Sequence, residues 1–505
     1  MLRLQLRRTA RSATFLAVCG AAALVGAPAG SAAQAAASSV PAPVPAVSDY
    51  QLLTANTTPP TEAQCFAIGR RCFKPLAMQN SYNLTPLLNA GNEGQGVTIA
   101  IIDSFGNPNM ASDLANFDTQ TGLPHMCGEP GLTCTSGMPT FQHVYWNGKT
   151  QVKAPPSGSN GTGSQTRNIW ALETSLDVEW AHSIAPEANI LLMTTNPAET
   201  LGVQGFPAMM NAEQFIVDNH EATVITQSFG AAEETFSSTQ SLLNLRHAFI
   251  SAAANGVTVL ASSGDNGTAN PDFQPVKNPR IFPFPTVGWP ASDPLVTAVG
   301  GTNLCTDANT GLTVDTTSPP VACQLPANPT GARETAWVGS GGGFSHVFSK
   351  PAYQNTLPDG STAIGATRGV PDIAYQASSR TGVLVYDTAP GDATGGVICP
   401  PAPGNPCSAG WYVVGGTSAS SPQWAGLVAI ADQIAGHGLG MINPTLYKLA
   451  SDPAKYSSDF YDVTTGNNTQ VGTGVPGYPA TTGWDPVTGL GTPNAANLVP
   501  ALASG

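Results

Sequence analysis

Gly415-Gly416-Thr417-Ser418-Ala419-Ser420-Ser421-Pro422 is a run of small residues that leads directly into the helical pattern Trp424-Ala425-Gly426-Leu427-Val428-Ala429-Ile430. Ser418 is therefore predicted to lie at a helix N-terminus, next to backbone N–H groups and the positive end of the helix dipole. A serine in this position is a candidate nucleophile, because an oxyanion that forms beside it meets hydrogen-bond donors. The alternative is a serine that only caps the helix.

Apolar, β-branched runs alternate with helical patterns along most of the chain. The predicted strands are 97–102, 190–194, 223–226, 257–261, 295–299, 383–386 and 411–414, and the predicted helices are 169–184, 207–219, 238–254, 419–435 and 443–450. Continuous apolar strands separated by helices indicate a mostly parallel sheet covered on both faces. We therefore predict an α/β fold in a single large domain over residues 65–505.

The chain begins like an exported protein. Arginines at 3, 7, 8 and 11, an apolar run over 14–25 and the small residues Ser31-Ala32-Ala33 predict a signal peptide over residues 1–33. The apolar run is too short for a membrane span. Residues 34–64 are rich in Ala, Pro and Ser and are predicted to form a disordered leader. We expect a secreted, extracellular protein, a monomer with no membrane partner.

Eight cysteines remain after the predicted signal peptide. They form four close pairs in the sequence: 65/72, 127/134, 305/323 and 399/407. An even number in an exported chain indicates disulfides, and we expect each close pair to be joined. Metal binding is the alternative, but no Cys-x-x-Cys occurs and no histidine lies at ligand spacing from a cysteine.

The chain is acidic and poor in charge. Charged residues make up 10% of it, and its formal net charge is −13. Such a surface argues against nucleic acid as a partner. With few Lys and Arg, the protein gains little positive charge when its carboxylates are protonated, which suits a protein that stays folded in acid.

Two acids, Glu173 and Asp177, lie one turn apart on the predicted helix 169–184. They adjoin an apolar stripe that must face the core, formed by Leu172, Leu176 and Trp180. Like charges at this spacing destabilise a helix, so the pair indicates a site in which two carboxyl groups share a proton. The alternative is a solvated acidic face.

A third acid, Asp265, follows the predicted strand 257–261 in Ser263-Gly264-Asp265-Asn266-Gly267. Parallel sheets place their sites at the carboxyl ends of strands, so we expect Asp265 to lie near Ser418. The alternative is an acid in an ordinary turn.

Together these segments resemble the sedolisin family, the serine-carboxyl peptidases with a subtilisin-like fold. The matching segments are Glu173-x-x-x-Asp177, Ser263-Gly264-Asp265-x-Gly267, Gly416-Thr417-Ser418-Ala419-Ser420-x-Pro422, Asp462-Val463-Thr464-x-Gly466-x-Asn468 and Gly483-Trp484-Asp485-Pro486-x-Thr488-Gly489. They occur in order over residues 75–500. The chain departs from the family in one respect, because only residues 34–64 lie where many sedolisins have a large propeptide.

The resemblance implies a role for each acid and for the serine. Ser418 is the nucleophile, Glu173 its general base, Asp177 the group that orients Glu173, and Asp265 the oxyanion donor. A carboxylate base accepts protons in acid, where histidine is already charged. The implied activity is that of a secreted endopeptidase that cleaves polypeptides at acidic pH through an acyl-enzyme.

The resemblance also implies one structural Ca²⁺ ion. Its ligands would be the carboxylates of Asp462 and Asp485 and backbone oxygens of Val463, Thr481 and Gly483, since calcium prefers oxygen ligands. The alternative is two acids in ordinary turns. Two further segments resemble substrate-binding edges, Ser228-Phe229-Gly230 and Gly339-Ser340-Gly341-Gly342-Gly343.

Other functions are weighed against this one. Asp103, at the end of a predicted strand, resembles the aspartate of ordinary subtilisins, but a His-based triad needs a His-Gly-Thr segment and only His437-Gly438 occurs. We therefore expect Asp103 to be structural. Glu179 and His182 lie three apart on a helix, without a further ligand cluster that would suggest a metal. A secreted binding protein without activity and a tripeptidyl-type exopeptidase remain alternatives.

Overall fold

The computed structural model describes residues 44–45, 48–147, 149–152, 167–195, 205–272, 280–358, 361–362, 364–389 and 410–505. All of these residues belong to one compact unit, Ser39–Gly505. The signal peptide predicted over 1–33 and the predicted pair 399/407 lie outside the described residues. Among the described residues, no helix combines the length and the apolar character needed to span a membrane.

The strands are β1 (Val44–Pro45), β2 (Ser48–Thr54), β3 (Arg71–Phe73), β4 (Thr98–Ser104), β5 (Phe141–Trp146), β6 (Gln151–Val152), β7 (Asn189–Thr195), β8 (Val224–Gln227), β9 (Phe229–Ala232), β10 (Thr258–Ser262), β11 (Gly288–Trp289), β12 (Thr297–Leu304), β13 (Glu334–Ala336), β14 (Gly343–Ser349), β15 (Thr367–Val370), β16 (Ile373–Gln376), β17 (Thr381–Asp387), β18 (Gly410–Gly415), β19 (Phe460–Tyr461) and β20 (Thr492–Pro493). The helices are α1 (Glu62–Ala67), α2 (Pro75–Ser81), α3 (Thr85–Leu88), α4 (Met110–Thr121), α5 (Arg167–Ile184), α6 (Gly205–Asp218), α7 (Thr239–Leu243), α8 (His247–Ala254), α9 (Thr417–Ala435), α10 (Asn443–Ala450), α11 (Pro453–Asp459) and α12 (Ala495–Ala503).

A nine-stranded sheet forms the centre of the unit, in the order β13-β12-β10-β8-β4-β7-β5-β6, with β16 also paired to β12. Neighbours from β12 to β5 are parallel, and so are β12 and β16. The edge strands β13 and β6 are antiparallel to their neighbours. This arrangement confirms the predicted mostly parallel sheet.

Alternate residues of the sheet face two separate hydrophobic clusters. In β4, Ile99 and Ile101 belong to the cluster formed with α5 and α9. Ala100 and Ile102, which point the other way, belong to the cluster formed with α6 and α8. Because successive side chains of a strand point to opposite faces, helices cover both faces of the sheet. The predicted three-layer α/β fold is confirmed.

The helix predicted over 238–254 is instead two helices, α7 and α8. Arg246, the residue before α8, pairs through its guanidinium with the buried carboxylate of Asp293, with Nε 2.5 Å from Oδ2. This ion pair fixes the turn between the helices. The predicted strands at 383–386 and 411–414 lie outside the central sheet, in a four-stranded sheet of order β2-β18-β17-β3.

Part of the predicted leader is ordered, so the prediction of disorder up to residue 64 is wrong for residues 48–64. Ser48–Thr54 forms β2, which is antiparallel to β18, and Thr61 caps α1. Tyr50, Leu52 and Leu53 pack against the main hydrophobic cluster. The backbone of residues 48–54 pairs with the edge of β18, whereas a leader that is free in solution has no such hydrogen-bond partners.

The cysteines pair as neighbours in the sequence wherever the structure describes them. The disulfides are Cys65–Cys72, Cys127–Cys134 and Cys305–Cys323. These confirm the predicted local pairing at three of the four positions.

Candidate active site

Ser418 is the second residue of α9, immediately after β18. Gly416, the cap residue between them, has φ +125° and ψ 159°, a conformation that glycine adopts more readily than other residues. Its N–H donates to the Ala377 carbonyl at 2.6 Å. The predicted turn of small residues thus holds a fully buried serine at the start of a buried helix.

Asp265 caps the same helix from the neighbouring loop. It follows β10, and its Oδ1 accepts hydrogen bonds from Thr417 N at 2.7 Å and from Thr417 Oγ1 at 3.0 Å. Thr417 Oγ1 in turn accepts from the N–H of Gly264 at 3.0 Å. These contacts hold the Asp265 carboxyl group beside the residue that precedes Ser418, as predicted from its place at the end of a strand.

Glu173 and Asp177 project from α5, which packs directly against α9. Both are fully buried, which excludes the solvated acidic face. The Ser418 hydroxyl lies close enough to the Glu173 carboxyl group to lower its pKa, although the contact lacks the geometry of a full hydrogen bond. Catalytic hydrogen bonds are often long in the absence of substrate. Asp177 Oδ1 accepts a hydrogen bond from Ser228 Oγ at 2.9 Å.

The buried carboxyl groups affect one another strongly. Burial raises the pKa of Glu173 well above its usual range, and Asp177 and then Asp103 raise it further. Burial also raises the pKa of Asp177, Asp103 adds to this effect, and the Ser228 hydroxyl opposes it. Carboxyl groups crowded in this way hold protons together, so the group titrates as a unit.

Asp103 is a member of this group that the sequence reasoning missed. It lies near the carboxyl end of β4, is fully buried, and has a pKa that burial raises well above the usual range. The rule that singled out Asp265, an acid at the carboxyl end of a parallel strand, applies equally to Asp103. It was set aside because no histidine-based triad could be completed with it.

The predicted substrate-binding segment Ser228-Phe229-Gly230 divides into different roles. Ser228 is tied to Asp177. The Phe229 side chain is fully buried in the second hydrophobic cluster, so only its backbone is available to a ligand. Strand β9, which begins at Phe229, pairs with β11 on one side and with β1 on the other, where Val44 faces Gly230.

The glycine-rich segment 339–343 supports the loop that contains Asp265. Gly341 N donates to the Gly264 carbonyl at 2.8 Å, and Ser340 Oγ donates to the Val487 carbonyl at 2.7 Å. This segment therefore fixes the position of the loop.

Asp462 and Asp485, the predicted calcium carboxylates, lie in the segment between β19 and β20. Gly483 N donates to Asp462 Oδ2 at 3.0 Å, and Thr481 N donates to Asp485 Oδ2 at 2.9 Å. Within the described part of the chain, no Lys or Arg is paired with either carboxylate. Burial raises the pKa of Asp485 to about 7.

The carbonyl groups of the same region face no competing donor. Among the described residues, no N–H donates to the carbonyls of Val463, Thr481 or Gly483. These carbonyl oxygens belong to the same segments as the buried carboxylate of Asp485 and the half-buried carboxylate of Asp462. Carbonyl and carboxylate oxygens together are the donor set that Ca²⁺ prefers. The residues therefore fit the implied ion.

The fold and the site define a class. The parallel sheet places a serine at the start of α9, next to carboxyl groups from α5 and from the loop after β10. This is the arrangement of a subtilisin-like protein with the site of a serine-type peptidase.

Comparisons with known proteins agree with this class. The family model described as "Subtilase family" matches residues 94–448. The chain is 30% identical over 454 residues to kumamolisin from Bacillus sp. (strain MN-32), covering 87% of this chain and 65% of kumamolisin. It is 30% identical over 370 residues to tripeptidyl-peptidase 1 from Bos taurus, covering 67% of this chain and 53% of that protein.

A solved structure is also similar. It is Pseudomonas sedolisin, described as a serine-carboxyl proteinase complexed with pseudo-iodotyrostatin, with a TM-score of 0.61 and 25% identity, covering 86% of this chain and 99% of that one. The chain belongs to the subtilase family and is a sedolisin-type member of it. It spans 65% and 53% of the length of the two relatives named above.

Proposed function

We propose that this protein is a secreted serine-carboxyl endopeptidase that hydrolyses polypeptides at acidic pH. The proposal rests above all on one observation: Ser418 at the start of α9 and Glu173 on α5 are both fully buried, on helices that pack directly against each other. Similarity to sedolisin-type proteins supports the same activity. Secretion is supported by the signal-peptide pattern over residues 1–33.

The reaction proceeds in two halves. In the first, Ser418 Oγ attacks the peptide carbonyl while Glu173 accepts its proton, and Glu173 then passes that proton to the leaving amine. In the second, water gives a proton to Glu173 and attacks the acyl group, and Ser418 regains its proton as the acid product leaves. Asp177, held by Ser228, orients Glu173 throughout.

Asp265 is proposed to stabilise the oxyanion of both tetrahedral intermediates. Its Oδ1 is fixed by Thr417, which aims the carboxyl group across the start of α9. A carboxyl group can donate a hydrogen bond only when it is protonated, so this role restricts activity to acid. One such donor lowers the barrier by about 2.7–4 kcal/mol.

Replacing Asp265 tests this role. An Asp265→Asn variant keeps an N–H donor at every pH, so we expect it to retain part of the activity and to lose the alkaline decline of the wild-type kcat/KM profile. A folded variant whose alkaline decline matches that of wild type would contradict this explanation of the pH limit.

The substrate is proposed to pair as an extended strand along β9. The chain's own N-terminal segment supports this, because β1 is antiparallel to β9 opposite Gly230 and β2 is antiparallel to β18, with Ser48 opposite Gly415. The N-terminal segment thus pairs both with β18, which precedes the helix of Ser418, and with β9, which follows Ser228. A cleft that accepts chain on both sides favours internal cleavage over removal of tripeptides.

The proposed activity is tested by replacing the nucleophile. Ser418→Ala should abolish cleavage of an unfolded protein at pH 3–7, as measured by mass spectrometry of the fragments. The thermal midpoint of the variant should stay close to that of wild type. A serine-directed aldehyde or phosphonate should label wild type but not the variant. Absence of cleavage and of labelling in wild type would instead favour a binding protein that retains the fold. Fragments that differ by three residues from the N-terminus would favour the exopeptidase.

We also propose that Asp462 and Asp485, with the backbone oxygens of Val463, Thr481 and Gly483, hold one structural Ca²⁺ ion. When bound, the ion would balance the charge of the buried Asp485 and the half-buried Asp462 carboxylates and join the two parts of the segment between β19 and β20. It takes no part in the peptide hydrolysis.

A further inference from the structure

A second group of ionisable side chains lies between α4 and the loop that follows it. Asp118 on α4 and His125 and Glu129 in the loop each offer one ligand atom, and these atoms all lie within 4.8 Å of one another. His182 on α5 adjoins them, with Nε2 3.4 Å from Asp118 Oδ1. The catalytic scheme uses none of these residues.

The contacts within this group leave the buried Asp118 carboxylate with one basic neighbour, His182, and without a hydrogen bond of full geometry among the described residues. His125 Nδ1 lies 2.5 Å from Glu129 Oε2, and Met126 N donates to Glu129 Oε1 at 2.5 Å. Asp118 is fully buried, and neither of its carboxylate oxygens forms a hydrogen bond of full geometry with the rest of the described chain. Burial raises the pKa of Glu129, and Asp118 raises it further.

The loop is held in place by contacts that do not depend on an ion. The disulfide Cys127–Cys134 closes it, and Cys127 exchanges backbone hydrogen bonds with Pro139 and Phe141, both at 2.8 Å. The Pro124 carbonyl lies 3.0 Å from His182 Nε2. The ligand atoms are therefore positioned before any ion binds.

We propose that Asp118, His125 and Glu129 bind a Zn²⁺ ion. An imidazole with two carboxylates suits zinc, whereas Ca²⁺ prefers oxygen ligands alone. Tetrahedral zinc with ligands at about 2.0–2.2 Å requires donor atoms roughly 3.3–3.6 Å apart. The ligand atoms of the group already lie within 4.8 Å of one another, and zinc would separate His125 Nδ1 from Glu129 Oε2, which now lie 2.5 Å apart. His182 then acts on Asp118 from outside the coordination sphere and fixes its orientation.

The site is also accessible. The His125 side chain is 40% exposed, whereas that of Glu129 is 2% exposed. An ion can enter from the His125 side, and a water molecule can complete the coordination there. Binding displaces any proton held between the histidine and the carboxylates, so it releases protons and weakens in acid.

The experiment uses the full chain, freed of transition metals and kept in excess Ca²⁺ so that the calcium site is occupied. Titration with Zn²⁺ at pH 7, followed by calorimetry and equilibrium dialysis, should show one saturable site in the Ser418→Ala form, which cannot digest itself. His125→Ala and Glu129→Gln should each weaken binding at least tenfold. Zn²⁺ should raise the thermal midpoint of the Ser418→Ala form but not of these variants.

His346→Ala is the matched control. His346 Nδ1 also contacts a carboxylate, that of Glu234, but this pair is not part of a group of three ligand residues among those described. Its loss should leave the zinc site intact. No saturable site, binding unchanged in both His125→Ala and Glu129→Gln, or binding lost equally in His346→Ala would each overturn the proposal. The group would then hold only protons.

Discussion

Asp103 is a buried acid whose effect on the site is electrostatic. No hydrogen bond of full geometry reaches its carboxylate from the described residues, yet it raises the pKa of both Glu173 and Asp177. A general base must be ionised to accept a proton. A neighbour that raises the pKa of the base therefore raises the lowest pH at which the enzyme is active. We therefore expect Asp103 to set the lower pH limit of activity without contacting substrate.

Replacing Asp103 with asparagine should therefore shift the acidic limb of the kcat/KM profile. Without the third carboxyl group, the pKa of Glu173 falls, and the base is ionised at lower pH. We expect the limb to move to lower pH. Measurement of kcat/KM from pH 2 to pH 7 checks this, and a limb that stays in place or moves up contradicts the explanation.

The same replacement has a stability signature with a defined sign. Burial raises the pKa of Asp103 in the folded state, whereas in the unfolded chain the same carboxyl group loses its proton at about pH 3.9. The stability that the protonated group provides is therefore complete below that pH and is lost as pH rises toward the folded pKa. The thermal midpoint of Asp103→Asn should therefore rise relative to that of wild type as the pH is raised from 4 to 7.

Glu213→Gln is the control for both measurements. Glu213 on α6 is also buried, and burial alone raises its pKa. Its replacement should change the pH dependence of stability in the same direction but should leave the acidic limb of activity unchanged. A shift of the limb in this variant would show that overall stability, and not charge near Glu173, moves the profile.

At the scale of elements, the contact between α5 and α9 sets the distance between the proposed base, Glu173, and the proposed nucleophile, Ser418. The helices approach closely at Gly426, where an added Cβ would lie 2.6 Å from Ile184 Cβ and 3.2 Å from the Ala181 carbonyl oxygen. Neither atom can rotate away. Any larger residue must therefore move one helix, and with it either Glu173 or Ser418.

Gly426→Ala should consequently destabilise the fold despite the higher helix propensity of alanine. We expect a loss of about 1–3 kcal/mol from overpacking and a fall in kcat that exceeds any change in KM. Gly365→Ala is the control, because a Cβ there meets no atom of the described residues within 4 Å. Urea unfolding and steady-state kinetics check both variants. Full stability and full kcat in Gly426→Ala would contradict the proposed role of this contact.

The patterns in the sequence predict those parts of the site that belong to regular elements. The helical spacing of Glu173 and Asp177 and the turn before Ser418 predict that these side chains are buried at the start of α9 and on the inner face of α5, as they are in the structure, because helix and strand periods fix the direction of a side chain. The break at Arg246 was not predicted, since it depends on a carboxylate that is distant in the sequence, that of Asp293.

At the scale of the whole molecule, the features that were missed depend on contacts between distant segments. Of the zinc ligands proposed, Asp118 lies on α4 but His125 and Glu129 lie in the loop after it, so their spacing along the chain does not place them on one helix face. Their neighbour His182 comes from another helix. The order of residues 48–54 depends on the free edge of β18. Average composition over 34–64 concealed the apolar residues that pack there. Sequence patterns indicate local geometry only, so contacts between distant segments cannot be predicted from them and become visible only in the folded structure.

The calcium region also joins distant parts of the molecule. Asp462 follows β19, which pairs with β20, and the Asp462 carboxylate contacts both the Tyr456 hydroxyl on α11 and the N–H of Gly483. Trp484, the next residue, donates its indole N–H to the Pro371 carbonyl before β16 of the central sheet. Loss of the proposed ion would expose two unbalanced carboxylates at this junction and would loosen it.

Removal of Ca²⁺ with a chelator should therefore lower the thermal midpoint of the Ser418→Ala form, and added Ca²⁺ should restore it. An ion at about 100 times its Kd stabilises a fold by about 2.7 kcal/mol. Mg²⁺ should restore less, because it is smaller and demands octahedral geometry. Asp485→Asn should lose the response. Asp452→Asn, which removes a nearby carboxylate that only caps α11, should keep it. A midpoint unaffected by chelator, or a response that survives in Asp485→Asn, would contradict a calcium ion held by these residues.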